Sequence, residues 1–388
     1  MRPRAVKWPP RLRFCRSVSA YIEIVQALTF CPRLPYSRFV RSKGWLNSAM
    51  TSRTAPTLDD VARAAGVSTA TVSRCLNAPN RVVEKTRAKV MSAVESLGYT
   101  PNFGARVMAA KRTFTIGAII PTMDNAIFAR GIQAFQEALH ARGYTLLVAS
   151  SSYDPQVEAD QVRSLVARGA DGLFLIGYAR DAAVYDYLRR QAVPVLSSWV
   201  FEANAPVATV GFDNRKGMRL MADQVLSMGH RKLAIISGVL QGNDRTTERL
   251  EGAKDAFRAH GLDPASVPVI ETPYEIDNGA AAFKSLKSRH PDLTSVLCGN
   301  DVLAVGAMRG ARDLGLNVPT DVSITGFDDI ELARIVTPGL TTIHVPHRDM
   351  GRKAAETLID MVENNRDSAL VEVPISLKIR GSLAAVPS

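Results

Sequence analysis

Thr69, Ala70, Ser73 and Arg74 fall within six positions, in TATVSR, and are interleaved with the apolar Val72, Cys75 and Leu76. On a helix the two sets separate, so that hydroxyls, a methyl and one guanidinium face outward together. Such a face fits the major groove of DNA, where base edges present donors, acceptors and the thymine methyl. A second set is scattered along the chain: Asn125, Phe128, Trp199, Asn243, Asp244, Arg245, Arg249, Asn300 and Asp301 all follow short apolar runs. Polar hydrogen-bonding groups beside aromatic rings suit a sugar or other polyol, and equally a purine or a small acid.

The first set needs a helix that can be presented to a groove. Thr57 can cap a helix with Asp60 three residues on, and Leu58, Val61, Ala62 and Ala65 make one apolar stripe before Gly66 ends it. Ser68 then restarts the chain as an N-cap, which gives a helix-turn-helix with the outward set on its second helix. Any αα-hairpin could share this much. A third helix is expected over Val83 to Leu97, with Val83, Val90, Val94 and Leu97 in phase and Gly98 and Pro101 as the stop, which completes a three-helix unit of DNA-binding size.

The second set needs sheets. From Thr115 the runs IGAII, TLLVA, GLFLI, PVLS, LAIIS, PVIE, SVLC and VSITGF alternate with helical patterns, which means parallel strands. Five helices are expected to end at Gly143, Gly169, Gly229, Gly261 and Gly315. The strands are too many for one sheet, and GFDN at 211–214 is a plausible join between two doubly wound lobes. Ligands of such sheets bind beyond the carboxyl ends of the strands, which is where the second set lies.

At 388 residues, with 46% hydrophobic and 6% aromatic residues, the chain is long enough for two or three domains of an ordinary soluble α/β protein. Its net charge of +11 is unevenly placed: residues 1–50 carry +9 and residues 51–112 carry +6, which leaves −4 for the rest. Phosphate attraction is useful only where a duplex docks, so a basic module on a mildly acidic body is the expected split. Residues 1–50 are Arg- and Pro-rich, and their apolar run from Val18 to Phe30 is broken by Glu23 and Gln26. They are expected to be a disordered tail or an extension from an upstream start codon, with Met50 as the natural first residue, rather than a signal peptide. No membrane span is expected. The four Cys, at 15, 31, 75 and 298, have no CxxC spacing, which fits a reducing compartment.

Enzymatic readings find little. Pro121 stands after the first strand where a nucleotide-binding GxGxxG would begin, and no P-loop lysine occurs. His344 and His347 lack further ligands nearby in sequence for a metal, while Asp328 and Asp329 are expected to line a cleft or cap a helix. No enzyme activity, metal or other cofactor is expected.

TLDDVARAAGVSTATVSRCLN, EKTRAKVMSAVESLGYTPN and ARVMAAKR resemble the headpiece and linker of the lactose-repressor (LacI/GalR) family of bacterial transcription regulators, and the resemblance runs from about Thr57 to Gly381. It implies an all-α helix-turn-helix headpiece over 56–101, a hinge linker over 102–113, and a two-lobed α/β body like periplasmic binding proteins over 114–381. It further implies a chain that crosses between the lobes, with lobe 1 about 114–211 and 341–368 and lobe 2 about 212–340 and 369–381. By position, Thr69, Ala70, Arg74 and Leu58 would read bases. Thr57, Ser68, Thr71, Ser73, Asn77, Tyr99 and Asn102 would hold phosphates. Met108, with Ala105, would wedge into the minor groove where relatives place a Leu.

The same resemblance gives Arg249, in RLEG, and Asp301, in NDVLA, to the effector, with Phe128 and Trp199 as aromatic contacts and Asn125, Arg245 and Asn300 beside them. Asp301 could instead serve as the N-cap of the following helix. The implied function is a regulator, expected to be a repressor, that works as a homodimer on a palindromic operator in the bacterial cytoplasm and answers to a sugar or sugar acid. The rival is a periplasmic sugar-binding protein with the same body, which would need a secretion signal and no headpiece.

Overall fold

The computed structural model describes residues 55–100, 112–124, 126–366 and 369–386, which form two compact units divided at Thr100. In the first unit, α1 (Leu58–Ala65), α2 (Thr69–Asn77) and α3 (Glu84–Leu97) enclose a small core of Val61, Val72, Cys75 and Val90, closed by Tyr99. The capping box at Thr57 forms in full: its hydroxyl accepts from the Asp60 amide, and the Asp60 carboxylate accepts from the Thr57 amide at 2.9 Å. Ser68 caps α2 by accepting from the Thr71 amide at 3.2 Å.

Helix α3 differs from its expected phasing. Val83 is 74% exposed and precedes the helix, and Leu97 also lies at the surface, so of the expected stripe Val90 and Val94 carry the packing, joined by Ala93. Val83 is the N-cap and offers no side-chain acceptor. Val83→Ser is expected to stabilise α3 by about 1 kcal/mol, slowing exchange of its first amides about fivefold. Unchanged exchange would show that the uncapped amides are already satisfied by water.

The second unit holds two six-stranded sheets. The strands and helices run β1 (Thr115–Ile120), α4 (Ala126–Ala141), β2 (Thr145–Ser150), α5 (Pro155–Ala167), β3 (Gly172–Ile176), α6 (Ala182–Arg190), β4 (Val195–Ser198) and β5 (Ala208–Gly211) through the first lobe. The second lobe begins with α7 (Asn214–Ser227), β6 (Leu233–Ser237), α8 (Asp244–Ala259), β7 (Val269–Glu271), α9 (Ile276–Arg289), β8 (Ser295–Cys298) and α10 (Asp301–Asp313). The chain continues with β9 (Ser323–Asp328), α11 (Leu332–Ile335), β10 (Thr341–His344), α12 (His347–Asn364), β11 (Leu370–Glu372) and β12 (Ser376–Lys378).

Strand order is β11-β5-β4-β3-β1-β2 in the first sheet and β12-β10-β9-β8-β6-β7 in the second; every pairing is parallel except β10 with β12. Strands β1, β3, β6, β8 and β9 are buried along their whole length, as parallel strands under helices require. Phe135, Phe174, Phe257 and Phe283 are fully buried, each contributing about 1.5–3 kcal/mol by its removal from water. The five glycines expected at helix ends have φ between 72° and 92°.

The join at 211–214 stands, but the expected return to the first lobe near Thr341 is one strand too early. β10 pairs with β9 and β12 in the second sheet, and the chain crosses only at the turn into α12. The reason is the pair of β10 hydroxyls: Thr342 donates to the buried Asp301 at 2.5 Å, and Thr341 donates to the Arg380 carbonyl at 3.2 Å. β11 correspondingly extends the first sheet beside β5, so the last crossing follows residue 372 rather than 368. Lobe 1 is therefore 114–211 with 347–372, and lobe 2 is 212–344 with 376–383. Among the described residues no helix is long and apolar enough to cross a membrane.

Candidate nucleic-acid interface and ligand chamber

In the headpiece, α2 buries Val72 and Cys75 and leaves Ala70, Arg74 and Asn77 exposed, with Thr69, Thr71 and Ser73 half-buried. Arg74 has no ion pair among the described residues, so its guanidinium is available to base edges or phosphate. The capping hydroxyl of Ser68 lies 2.9 Å from that of Thr71, and Ser73 accepts from the Asn77 amide group at 3.3 Å. These short side chains hold one another in place along one flank of the helix. Tyr99 is a core residue and Leu58 packs half-buried against the same core, so both support α2 before they contact anything else. Asn102, Ala105 and Met108 lie outside the described residues.

Between the lobes is a small chamber, about 20 Å³, lined by Ile127, Phe128, Tyr153 and Trp199 from the first lobe and Asn243, Arg245, Arg249 and Tyr274 from the second. It adjoins an outer compartment of about 1100 Å³ that shares Tyr153, Asn243 and Tyr274 and adds Asp124, Asp154, Glu275, Asp277 and Arg309. Three non-glycine residues that line these cavities hold left-handed backbone, Ser152 at φ 54°, Tyr153 at 61° and Trp199 at 60°, as do Asp328 at 106° and Asp329 at 53° at the end of β9. Such conformations persist only where the surroundings over-determine them, which happens at binding sites. Trp199 is 1% exposed, meets Phe128 edge-on at 5.4 Å and stacks on His347 at 6.0 Å. Gly131 makes room for it, since a Cβ there would lie 2.4 Å from the indole.

The two lobes are joined at the chamber wall by the first residues of α8. The Asp244 carboxylate accepts from the Ala179 amide at 3.1 Å and from the Tyr178 amide, and Arg245 Nη1 donates to the Ile176 carbonyl at 3.3 Å. The receiving loop is braced from behind by buried Arg180, which donates to the carbonyls of Ile176 and Gly177 and to Glu158. Gly177, at φ 73°, is required for this approach, because a Cβ would stand 2.1 Å from Arg245 Nη1 and 2.5 Å from Asp244 Oδ1. Gly177→Ala is expected to hold the lobes apart, enlarging the radius of gyration in small-angle scattering. An unchanged scattering curve would show that the loop yields instead.

Arg249 is a strut inside the second lobe. Its Nε donates to Asn214 Oδ1 at 2.9 Å, Nη1 to the Gly299 carbonyl at 2.7 Å and Nη2 to Asp328 Oδ1 at 3.1 Å, while the guanidinium lies 3.7 Å from the Phe327 ring. Burial pushes the Asp328 carboxyl up to about 6 even though Arg249 opposes the shift, and burial drives His347 down to about 3. The Asp301 carboxyl is also raised, chiefly by burial.

The DNA-binding motif matches the family model described as bacterial regulatory proteins, lacI family, over residues 57–102, and residues 222–383 match the periplasmic binding protein-like domain. The catabolite control protein A of Priestia megaterium is 32% identical, over 84% of this chain and 98% of that protein. The ribose operon repressor of Haemophilus influenzae is 32% identical, over 80% and 93%. This chain belongs to the LacI family. The crystal structure of the Lac repressor dimer bound to operator and the anti-inducer ONPF superposes with a TM-score of 0.77 at 27% identity, covering 86% of this chain and all of that one. As a LacI-family member it is a DNA-binding transcription regulator controlled by a small-molecule effector, and the periplasmic carrier reading falls on the headpiece match.

Of the residues the LacI resemblance assigned to the effector, Phe128, Trp199, Arg245 and Arg249 meet at the chamber. Asp301 does not: it is fully buried in lobe 2, where its oxygens accept from Thr342 and from the Ile330 amide at 2.8 Å. Nor is it an N-cap, because Asn300 holds that position and accepts from the Leu303 amide at 2.9 Å. Asn125 lies outside the described residues. Asp328 and Asp329 neither line the cavity nor cap a helix; Asp328 neutralises Arg249, and Asp329 accepts from Arg380 at 2.6 Å and pairs with His344 at 2.8 Å. Tyr153 and Tyr274 were missed, although each follows a strand end, after β2 and β7, and the strand-end rule reaches them. Among the described residues no three His, Cys, Asp or Glu side chains are grouped to hold a metal ion.

Proposed function

We propose that this regulator is a cytoplasmic repressor that binds a palindromic operator as a homodimer and needs no cofactor, and that a sugar or sugar acid in the interlobe chamber sets its operator affinity. The observation that carries the reading is the Asp244–Arg245 contact with the 176–179 loop, which joins the lobes at the chamber wall. A ligand inserted there must alter how the lobes meet. One three-helix headpiece covers little DNA surface, and a two-fold dimer doubles the contact.

Selection of binding sites from a random duplex pool with the full chain tests this. A two-fold symmetric consensus is expected; an asymmetric one would remove the homodimer. On the selected duplex, Arg74→Ala is expected to cost about 1–3 kcal/mol and to relax preference at one position of each half-site. Equal losses on selected and random DNA would make Arg74 a phosphate contact.

A further inference from the structure

Resting on the reading of the chamber as the effector site, we propose that its ligand is a small hydroxylated monocarboxylic acid whose carboxylate is held by Arg245. The inner chamber has two guanidiniums in its lining and no carboxylate. The acidic groups nearby are bonded to the protein, although Asp328 Oδ2 is buried without a donor. The oxygens of Asp244 are occupied by the Tyr178, Ala179 and Arg245 amides and by Arg245 Nη1 at 2.9 Å; Asp328 is fully buried against Arg249, and Asp301 is sealed in the second lobe.

The two arginines are not equivalent. Arg249 makes one bond to the protein from each of its three nitrogens, which leaves two of its five N–H groups, whereas Arg245 uses only Nη1 and keeps a whole edge. The Nε–Nη2 edge of Arg245 has no hydrogen-bond partner among the described residues, on a side chain only 9% exposed. That edge is the one that takes a carboxylate through two parallel N–H···O bonds. A second donor belongs to the same lining residues: the indole N–H of Trp199 is buried with no acceptor. Donors without acceptors call for a ligand end that only accepts, which a carboxylate does.

The outer compartment limits the rest of the molecule. Asp124, Asp154, Glu275 and Asp277 face it against Arg309 alone, and Arg309 is already paired with Asp277 at 2.7 Å. A second anionic group, such as a phosphate at the far end, would be repelled, while hydroxyls would be accepted. The phenol rings of Tyr153 and Tyr274 at the junction supply flat faces for the C–H side of a polyol.

Titration calorimetry on the full chain decides the matter with D-gluconate and D-glucuronate against D-glucitol and D-glucose, and with 6-phosphogluconate as the more highly charged probe. At least one acid is expected to bind about 10- to 100-fold tighter than its neutral counterpart, and the phosphorylated acid more weakly than gluconate. Arg245→Gln should erase the preference and Arg245→Lys should keep part of it. If the glutamine variant fails to fold, the comparison of acids with neutral polyols on the unaltered chain still decides. A neutral polyol that binds as tightly as the acids overturns the inference, and leaves the effector reading standing if that polyol shifts operator affinity. The inference also falls if no acid binds, or if the glutamine variant folds and keeps the acid preference.

Discussion

Arg249→Met is expected to lower the stability of the two-lobed unit by about 3–5 kcal/mol, the cost of leaving a buried carboxylate without its counter-charge. Asp328 is fully buried, and Arg249 is the only hydrogen-bond donor to its carboxylate among the described residues. Burial already pushes the Asp328 carboxyl up to about 6 with the guanidinium in place, so losing Arg249 favours protonation or rearrangement. The double substitution Arg249→Met with Asp328→Leu is expected to recover most of the loss, since a well-packed apolar pair removes the desolvation cost together with the attraction. Urea unfolding of the three variants measures this. Equal, additive losses from the two single substitutions would mean that the pair is not coupled, and that Arg249 acts through Asn214 and Gly299 alone.

Arg249 lines the chamber to which the resemblance assigns the effector, yet each of its side-chain nitrogens also bonds the protein. RLEG places an Arg one turn into α8, and position alone cannot say whether its guanidinium points to a ligand or to the protein. The answer depends on Asn214, Gly299 and Asp328, which come from three distant segments. Arg245, one turn earlier, keeps a free edge because its nearest carboxylate is shared with the 176–179 loop of the other lobe. Legibility therefore followed the range of the interaction. The capping box at Thr57 and Asp60 spans three residues and was read correctly, and so was the outward face of α2. Which sheet receives β10 is a question about Thr342 and Asp301, 41 residues apart, and a four-residue strand carries no local sign of its partner. Strand β5, also four residues, passed unnoticed for the same reason.

Phe128 and Trp199 show the same limit from another side. An aromatic residue after a strand end can be a platform or a core residue, and here both rings are almost wholly buried while lining the chamber. The indole stacks on His347, which begins the helix that crosses between lobes. The chamber wall and the interlobe crossing are thus one packed cluster, and its polar members must all be neutral or paired.

His347 is the member that burial keeps neutral in mild acid. Its ring is fixed between the Trp199 indole and the Asp328 carbonyl, 3.2 Å from Nε2, and burial holds its pKa at about 3, with Arg249, His344 and Arg130 adding repulsion. In the unfolded chain the imidazole titrates near 6.5, so the unfolded state binds more protons between these values and stability must fall as pH falls through that window. From pH 7 to pH 5 this amounts to a loss of about 2 kcal/mol. Asp328 works in the opposite direction. Its folded pKa of about 6 exceeds the unfolded carboxylate value, so the folded state binds the extra proton and gains about 1 kcal/mol over the same interval. Asp301, also raised by burial, adds to that gain. His347→Gln is therefore expected to make the protein lose about 2 kcal/mol less than the unaltered chain on going from pH 7 to pH 5. Asp328→Asn should make it lose about 1 kcal/mol more. Urea midpoints at the two pH values measure both differences, and variants that shift in the same direction would show that the two groups do not titrate as their burial requires.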